Sequence, residues 1–154
     1  MATLKDRLQG DLTTAMKQRD QVTAATLRMA LTAVTNEEVA GKQARQLSDD
    51  DVVQVLVKEA KKRREAADAY TTAGHPERAD QERAELAVLQ RYLPQELSVD
   101  EVAQIVAEAV AEVARAGQSG PAAMGAVMKI VQPQVRGRAD GGAVAAAVKA
   151  ALGS

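Results

Sequence analysis

The sequence predicts an all-α protein, and three observations predict it. Apolar residues recur at i, i+3, i+4 and i+7 along most of the chain. Start and stop signals (Ser, Thr, Asp, Gly and Pro) fall at helix-length intervals. No alternating apolar and polar run of strand length is present, and no cluster of β-branched and aromatic residues bounded by turns. The expected architecture is an N-terminal bundle of about four helices followed by a compact three-helix tail.

Thr3 caps a first helix with Leu4, Leu8, Leu12, Ala15 and Met16 on its apolar face, running to about Arg19. Asp20 caps a second, with Val22, Leu27, Leu31 and Val34 directed inward and Gly41 as its stop. Ser48 with Asp49, Asp50 and Asp51 is a strong N-terminal signal, since acids suit the positive end of a helix dipole. The third helix, about 49–72, carries Val52, Leu56, Ala60, Ala67 and Tyr70 at helical spacing. Pro76 opens a fourth, with Leu86, Leu89 and Leu93 inward. Pro94 forbids a continuous helix, and the chain changes there from charge-dense to rich in Ala and Val. The domain boundary is therefore placed near 95, giving domains 1–95 and 96–154.

Ser98 caps the first tail helix, 99–116, with Val102, Ile105, Val106, Ala109, Val110 and Val113 inward and Gly117 as its stop. Gly120-Pro121 starts the next. Its apolar face is Met124, Val127, Met128 and Val131, and Gln132-Pro133 is expected to end it. A basic link, Arg136-Gly137-Arg138, leads to Asp140, the cap of a last helix carrying Val144, Val148 and Leu152.

The 154 residues are enough for one ordinary domain or two small ones. The chain has no Phe and no Trp, and its two tyrosines are Tyr70 and Tyr92, so its core is aliphatic. It has no cysteine, which removes disulfides and thiolate chemistry. The N-terminal stretch reads as a charged amphipathic helix, not a secretory signal, and no run approaches the ~20 apolar residues of a membrane span. A cytoplasmic protein is the expectation. Net charge is −1, yet it is unevenly spread. Residues 96–112 hold five acids and no base, whereas 113–154 hold five bases and one acid, a net of +4. Such asymmetry can focus an anion on a near-neutral protein; ordinary solvated surface is the plain alternative.

Side chains able to do chemistry are sparse. His75 is the one histidine and sits in a turn. Ser48, Ser98 and Ser119 sit at caps or breaks, and Asp49–Asp51 read as capping acids more readily than as metal ligands. No catalytic constellation, metal site or cofactor site is expected. The run from Lys58 to Arg64 holds five bases in seven positions. These bases point all round a helix, and Glu59 with Arg63, Lys61 with Glu65, and Arg64 with Asp68 are i,i+4 pairs. A solvated face is the preferred reading over a nucleic-acid stripe. Arg136 and Arg138 offer more, because they lie beside the opening N–H groups of the last helix, a combination that suits phosphate. Lys129 and Lys149 are the further candidates. The competing structural reading has Gly137 and Gly141 making the turn, Asp140 capping, and Arg138 paired with an acid. The tail has no aromatic residue on which bases could stack, so an RNA contact there would read backbone and shape.

Met124-Gly125, Val127-Met128 and Gly137-Arg138-Ala139-Asp140-Gly141 resemble the C-terminal signature of the GatB/YqeY family. Ala15-Met16-Lys17 with Arg19-Asp20, Lys58-Glu59 with Lys61 and Arg63, and Tyr92-Leu93-Pro94 agree with it in the right order. The resemblance implies a helical N-terminal domain and a tail similar to that of the B subunit of tRNA amidotransferases, also found on some glutaminyl-tRNA synthetases. It implies packing roles for Met124, Gly125, Val127 and Met128, a turn at Gly137–Gly141, and Arg138 as an RNA contact. Where the family pattern carries bases, this chain has Ala126 and Gly142. The expected function is a non-catalytic accessory protein binding tRNA, or a tRNA amidotransferase or aminoacyl-tRNA synthetase. The alternatives are a protein-interaction module without RNA binding, and a part in a carbon–nitrogen ligase activity using glutamine as amido donor.

Overall fold

A computed structural model describes residues 2–153 and is helical, with no strand among them. The helices are α1 (Leu4–Lys17), α2 (Gln21–Glu38), α3 (Asp49–Thr72), α4 (Pro76–Gln90), α5 (Val99–Arg115), α6 (Met124–Val135) and α7 (Gly141–Ala151), with a 3₁₀ turn at Pro121–Ala123 ahead of α6. Contacts divide the chain into two compact units, Met1–Leu93 and Pro94–Ser154.

Local chemistry starts the helices. Thr3, Ser48 and Ser98 each form a reciprocal capping box with the acid three residues on: Asp6, Asp51 and Glu101. Asp20 caps α2 by accepting from the Thr23 backbone N–H at 3.1 Å and its hydroxyl at 2.8 Å. These hydrogen bonds hold the carboxyl groups of Asp6, Asp20, Asp51 and Glu101 below their usual range.

In the first unit α3 packs chiefly on α4, and α1 on α2. Leu8, Leu27, Val34, Leu56 and Leu89 form the fully buried centre. Tyr92 closes one end: its hydroxyl donates to Asp11 Oδ2 at 2.6 Å, and the Arg7 guanidinium lies 4.7 Å from its ring centroid. Burial, then the bond to Asp11, pushes the phenol up to about 12. In the second unit α5, α6 and α7 enclose Val106, Val127, Val131, Val144 and Val148.

Several expectations need correction. Gln132-Pro133 does not end α6, which runs on to Val135. Pro133 is exposed, Val131 and Val135 are buried, and the Arg136 N–H still reaches the Gln132 carbonyl at 3.0 Å. The apolar face therefore carries the helix past a proline whose ring points to water. Val22 is not inward but 45% exposed, because the buried side of α2 is Thr23, Thr26, Leu27, Ala30 and Val34, and Met16, expected on the apolar face of α1, is exposed because that helix buries Leu8 and Ala15. The first helix stops at Lys17, leaving Arg19 in the turn with φ +58°, a conformation uncommon for a residue with a Cβ. The second stops at Glu38, ahead of Gly41.

The solvated-face reading of 58–64 fails at Arg63, which is buried. Its Nη1 donates to Glu59 Oε2 at 2.6 Å, and its Nε lies 3.6 Å from Glu85 Oε2, within ion-pair reach but without a hydrogen bond. Nη2 reaches Met29 Sδ at 3.6 Å. Burial, then repulsion from Glu82, pushes the Glu85 carboxyl above its usual range, while Arg63 opposes the shift.

Candidate nucleic-acid interface

The basic link of the second unit is built from the end of α6, a glycine turn and the start of α7. Gly137 has φ +74°, and the Arg138 and Ala139 N–H groups both return to the Val135 carbonyl, at 2.8 and 3.1 Å. With Arg136 at φ −58° and ψ 122° ahead of Gly137, this is a type II β-turn, whose third position favours glycine, and it satisfies the last carbonyl of α6. Asp140 then accepts from the Ala143 N–H at 3.0 Å and opens α7. Gly141 is the first residue of α7 and lacks a positive φ, so its role is helical.

The two arginines of the link differ in use. Arg138 is partly buried; its Nε donates to the Gln95 carbonyl at 3.0 Å, and its own carbonyl accepts from the Leu97 N–H at 2.8 Å. It ties the entering strand of chain to the turn and lies near enough to Glu101 to help hold that carboxyl low, after the Ser98 hydrogen bonds. This is the structural role weighed for it, with a backbone carbonyl as its hydrogen-bond partner. Arg136 is exposed at the end of α6. Lys129 is exposed seven residues earlier, so i,i+7 spacing puts the two on one side of α6, about 10 Å apart along the axis. Neither takes part in an ion pair among the described residues. Lys149 lies in the last turn of α7, about 12 Å along the axis from the helix start, and has an interaction of its own. The structure therefore brings Lys129 and Arg136 to one face, commits Arg138 to the turn, and sets Lys149 at the far end of its helix.

The motif residues divide similarly. Met124 and Met128 are partly buried against the valine core, and Gly125 is exposed with open space where a Cβ would stand. The other chemistry-bearing side chains have structural or exposed placements. Ser48 and Ser98 are caps. His75 is exposed at the α4 start, makes no capping hydrogen bond, and meets Tyr70 edge-on at 6.5 Å. Asp51 belongs to a capping box, and Asp49 accepts from the Leu4 N–H at 3.0 Å. No group of three or more His, Asp or Glu arranged to hold a metal ion occurs among the described residues. Among them, no helix is long and apolar enough to cross a membrane.

Sequence reasoning missed Arg63 and the Tyr92–Asp11 pair. The i,i+4 spacing of Glu59 and Arg63 signalled half of the first, but Glu85 comes from another helix. Nothing local signals the second, whose partners are 81 residues apart.

A family model for YqeY-like proteins matches residues 5–152, nearly the whole chain. An uncharacterized protein of Schizosaccharomyces pombe is 32% identical over 85 residues, covering 54% of this chain and 67% of that protein. With its helical architecture and a match across both units, the chain belongs to the YqeY-like protein family.

Proposed function

We propose that this protein is a non-catalytic accessory factor whose second unit contacts tRNA through the RNA backbone. The observation that carries the reading is the shared face of Lys129 and Arg136, both exposed and without an ion-pair partner among the described residues, with Arg136 four residues ahead of the Asp140 cap of α7. Two basic side chains set two helical turns apart on one face can each take a phosphate of the same strand. The valine core around them offers no stacking platform, so affinity would come from charge and shape. The partner enzyme would be a tRNA amidotransferase or an aminoacyl-tRNA synthetase, and the protein would add affinity and orientation. A part in amide transfer has less support, because the serines, the histidine and the acidic run have structural or exposed placements.

The test is fluorescence anisotropy of the full chain with a mixed tRNA pool across a salt series. Binding should fall with salt, and Lys129→Ala with Arg136→Ala should lower the salt slope by about one unit per lost phosphate contact. Arg138→Ala should act on stability more than on slope. Absence of binding at low salt would overturn the reading.

A further inference from the structure

The corner between α1 and α2 carries apolar surface that the core does not use. Met16 is 52% exposed, Val22 45% and Met29 41%. Val22, Ala25 and Met29 follow one another at i, i+3 and i+7, so they form one outward strip of α2. Beside the strip runs an open cleft of about 520 Å³, lined by the apolar Ala15, Met16, Ala24 and Ala25 together with Arg19 and Arg28. Lys17, Arg19 and Arg28 are exposed and take part in no ion pair among the described residues. The one acid lining the cleft is Asp20, and both its oxygens accept from Thr23. The corner thus joins apolar surface to a surplus of positive charge.

We infer that this corner is the docking site for a short acidic amphipathic helix of a partner protein. The α2 strip spans about 10 Å, the length of two helical turns, which matches anchors at i, i+3 or i+4, and i+7 on a bound helix. Met16 on the surface can repack around such anchors, while Met29, whose Sδ stays against Arg63 Nη2, offers its exposed flank. Flanking Asp or Glu on the partner would meet Arg19 and Arg28 and supply the charge the corner lacks. An RNA backbone would use the arginines but leave the methionines and Val22 in water, so the apolar strip favours protein. The inference is independent of the RNA reading, which concerns the other unit.

The test uses the full chain and a labelled synthetic peptide of about five helical turns, with leucines at i, i+3, i+4 and i+7 and glutamates elsewhere, beside a peptide with lysines for the glutamates. The glutamate peptide should bind about tenfold tighter or better at low salt. Arg28→Glu and Met16→Ser should each weaken it about fivefold or more, while Lys42→Glu, an exposed cation elsewhere, should not. Circular dichroism checks that each variant folds, and amide shifts on binding should centre on residues 15–29. No preference for the glutamate peptide, or no effect of Arg28→Glu, overturns the proposal. So does displacement of the peptide by tRNA together with loss of tRNA binding in Arg28→Glu, which would make the corner a nucleic-acid surface. Lys129→Ala with Arg136→Ala should leave peptide binding unchanged, so this proposal and the tRNA reading can fail separately.

Discussion

The two units solve the same problem with different materials. The first builds its centre from leucines and admits polarity: among the described residues the buried polar side chains are Thr23, Thr26 and Arg63, all in that unit. The second packs valine on valine, with Ala109 and Ala123 between. Leucine fills more space per position, so long helices can bundle and still enclose an ion pair. Valine and alanine fill less, so short helices must approach closely, and a polar group would have no room for its partners. The difference teaches where each unit can be perturbed: size in both, charge in one.

The largest expected effect tests size. Leu56→Ala should cost about 2–5 kcal/mol, and Val131→Ala about 2 kcal/mol, in line with its smaller buried area. Both tyrosines lie in the first unit. Urea unfolding followed by tyrosine fluorescence should therefore register Leu56→Ala and leave Val131→Ala to circular dichroism. Equal shifts of the tyrosine signal would show that the units unfold together.

Charge comes next. Arg63→Ala should cost about 3 kcal/mol, because it leaves Glu59 and Glu85 facing each other with burial uncompensated. Arg63→Ala made together with Glu59→Gln and Glu85→Gln should recover part of the loss. A cost within about 0.5 kcal/mol for the single change, the size of ordinary surface substitutions, would break the contrast between the units.

The acid response sharpens the same contrast with smaller shifts. Asp6, Asp20 and Asp51 in the first unit and Glu101 in the second have lowered folded values. Their stabilisation is present above the ordinary carboxylate range and is lost as pH falls through those folded values. Glu85 runs the other way: its folded value is raised, so its contribution is full below the unfolded value and lost as pH rises through the folded one. Acidification from neutrality should first favour the first unit slightly, through Glu85, before the caps fail. In Glu85→Gln that early gain should be absent from the tyrosine-monitored midpoint.

The smallest effect is Pro133→Ala. It restores an N–H for the Lys129 carbonyl but frees the unfolded chain, and the two changes oppose. A net change under about 0.5 kcal/mol is expected by thermal melting.

What was legible in the sequence was what local chemistry decides. Thr3, Asp20, Ser48 and Ser98 cap where their spacing says, because a cap needs only the next three residues. The valine faces of α5, α6 and α7 were equally plain. Pro133 misled because a proline's local cost was set against burial of Val135, which depends on neighbouring helices. Val22 misled because 3.6-residue periodicity allows more than one face, and packing chooses. The candidate site was half legible. The turn at Gly137 and the cap at Asp140 could be read, but the commitment of Arg138 to Gln95, 43 residues away, could not.

The buried Arg63 cluster also sets how the molecule responds to warmth. Hydration of charged groups becomes less favourable as temperature rises, so keeping Arg63, Glu59 and Glu85 out of water costs less when hot. A valine core gains little from the same change and loses cohesion on cooling. Heat therefore shifts relative strength toward the first unit; on cooling its leucine core loses cohesion too and its buried ions cost more, so the balance moves back toward the second unit and the basic link it carries.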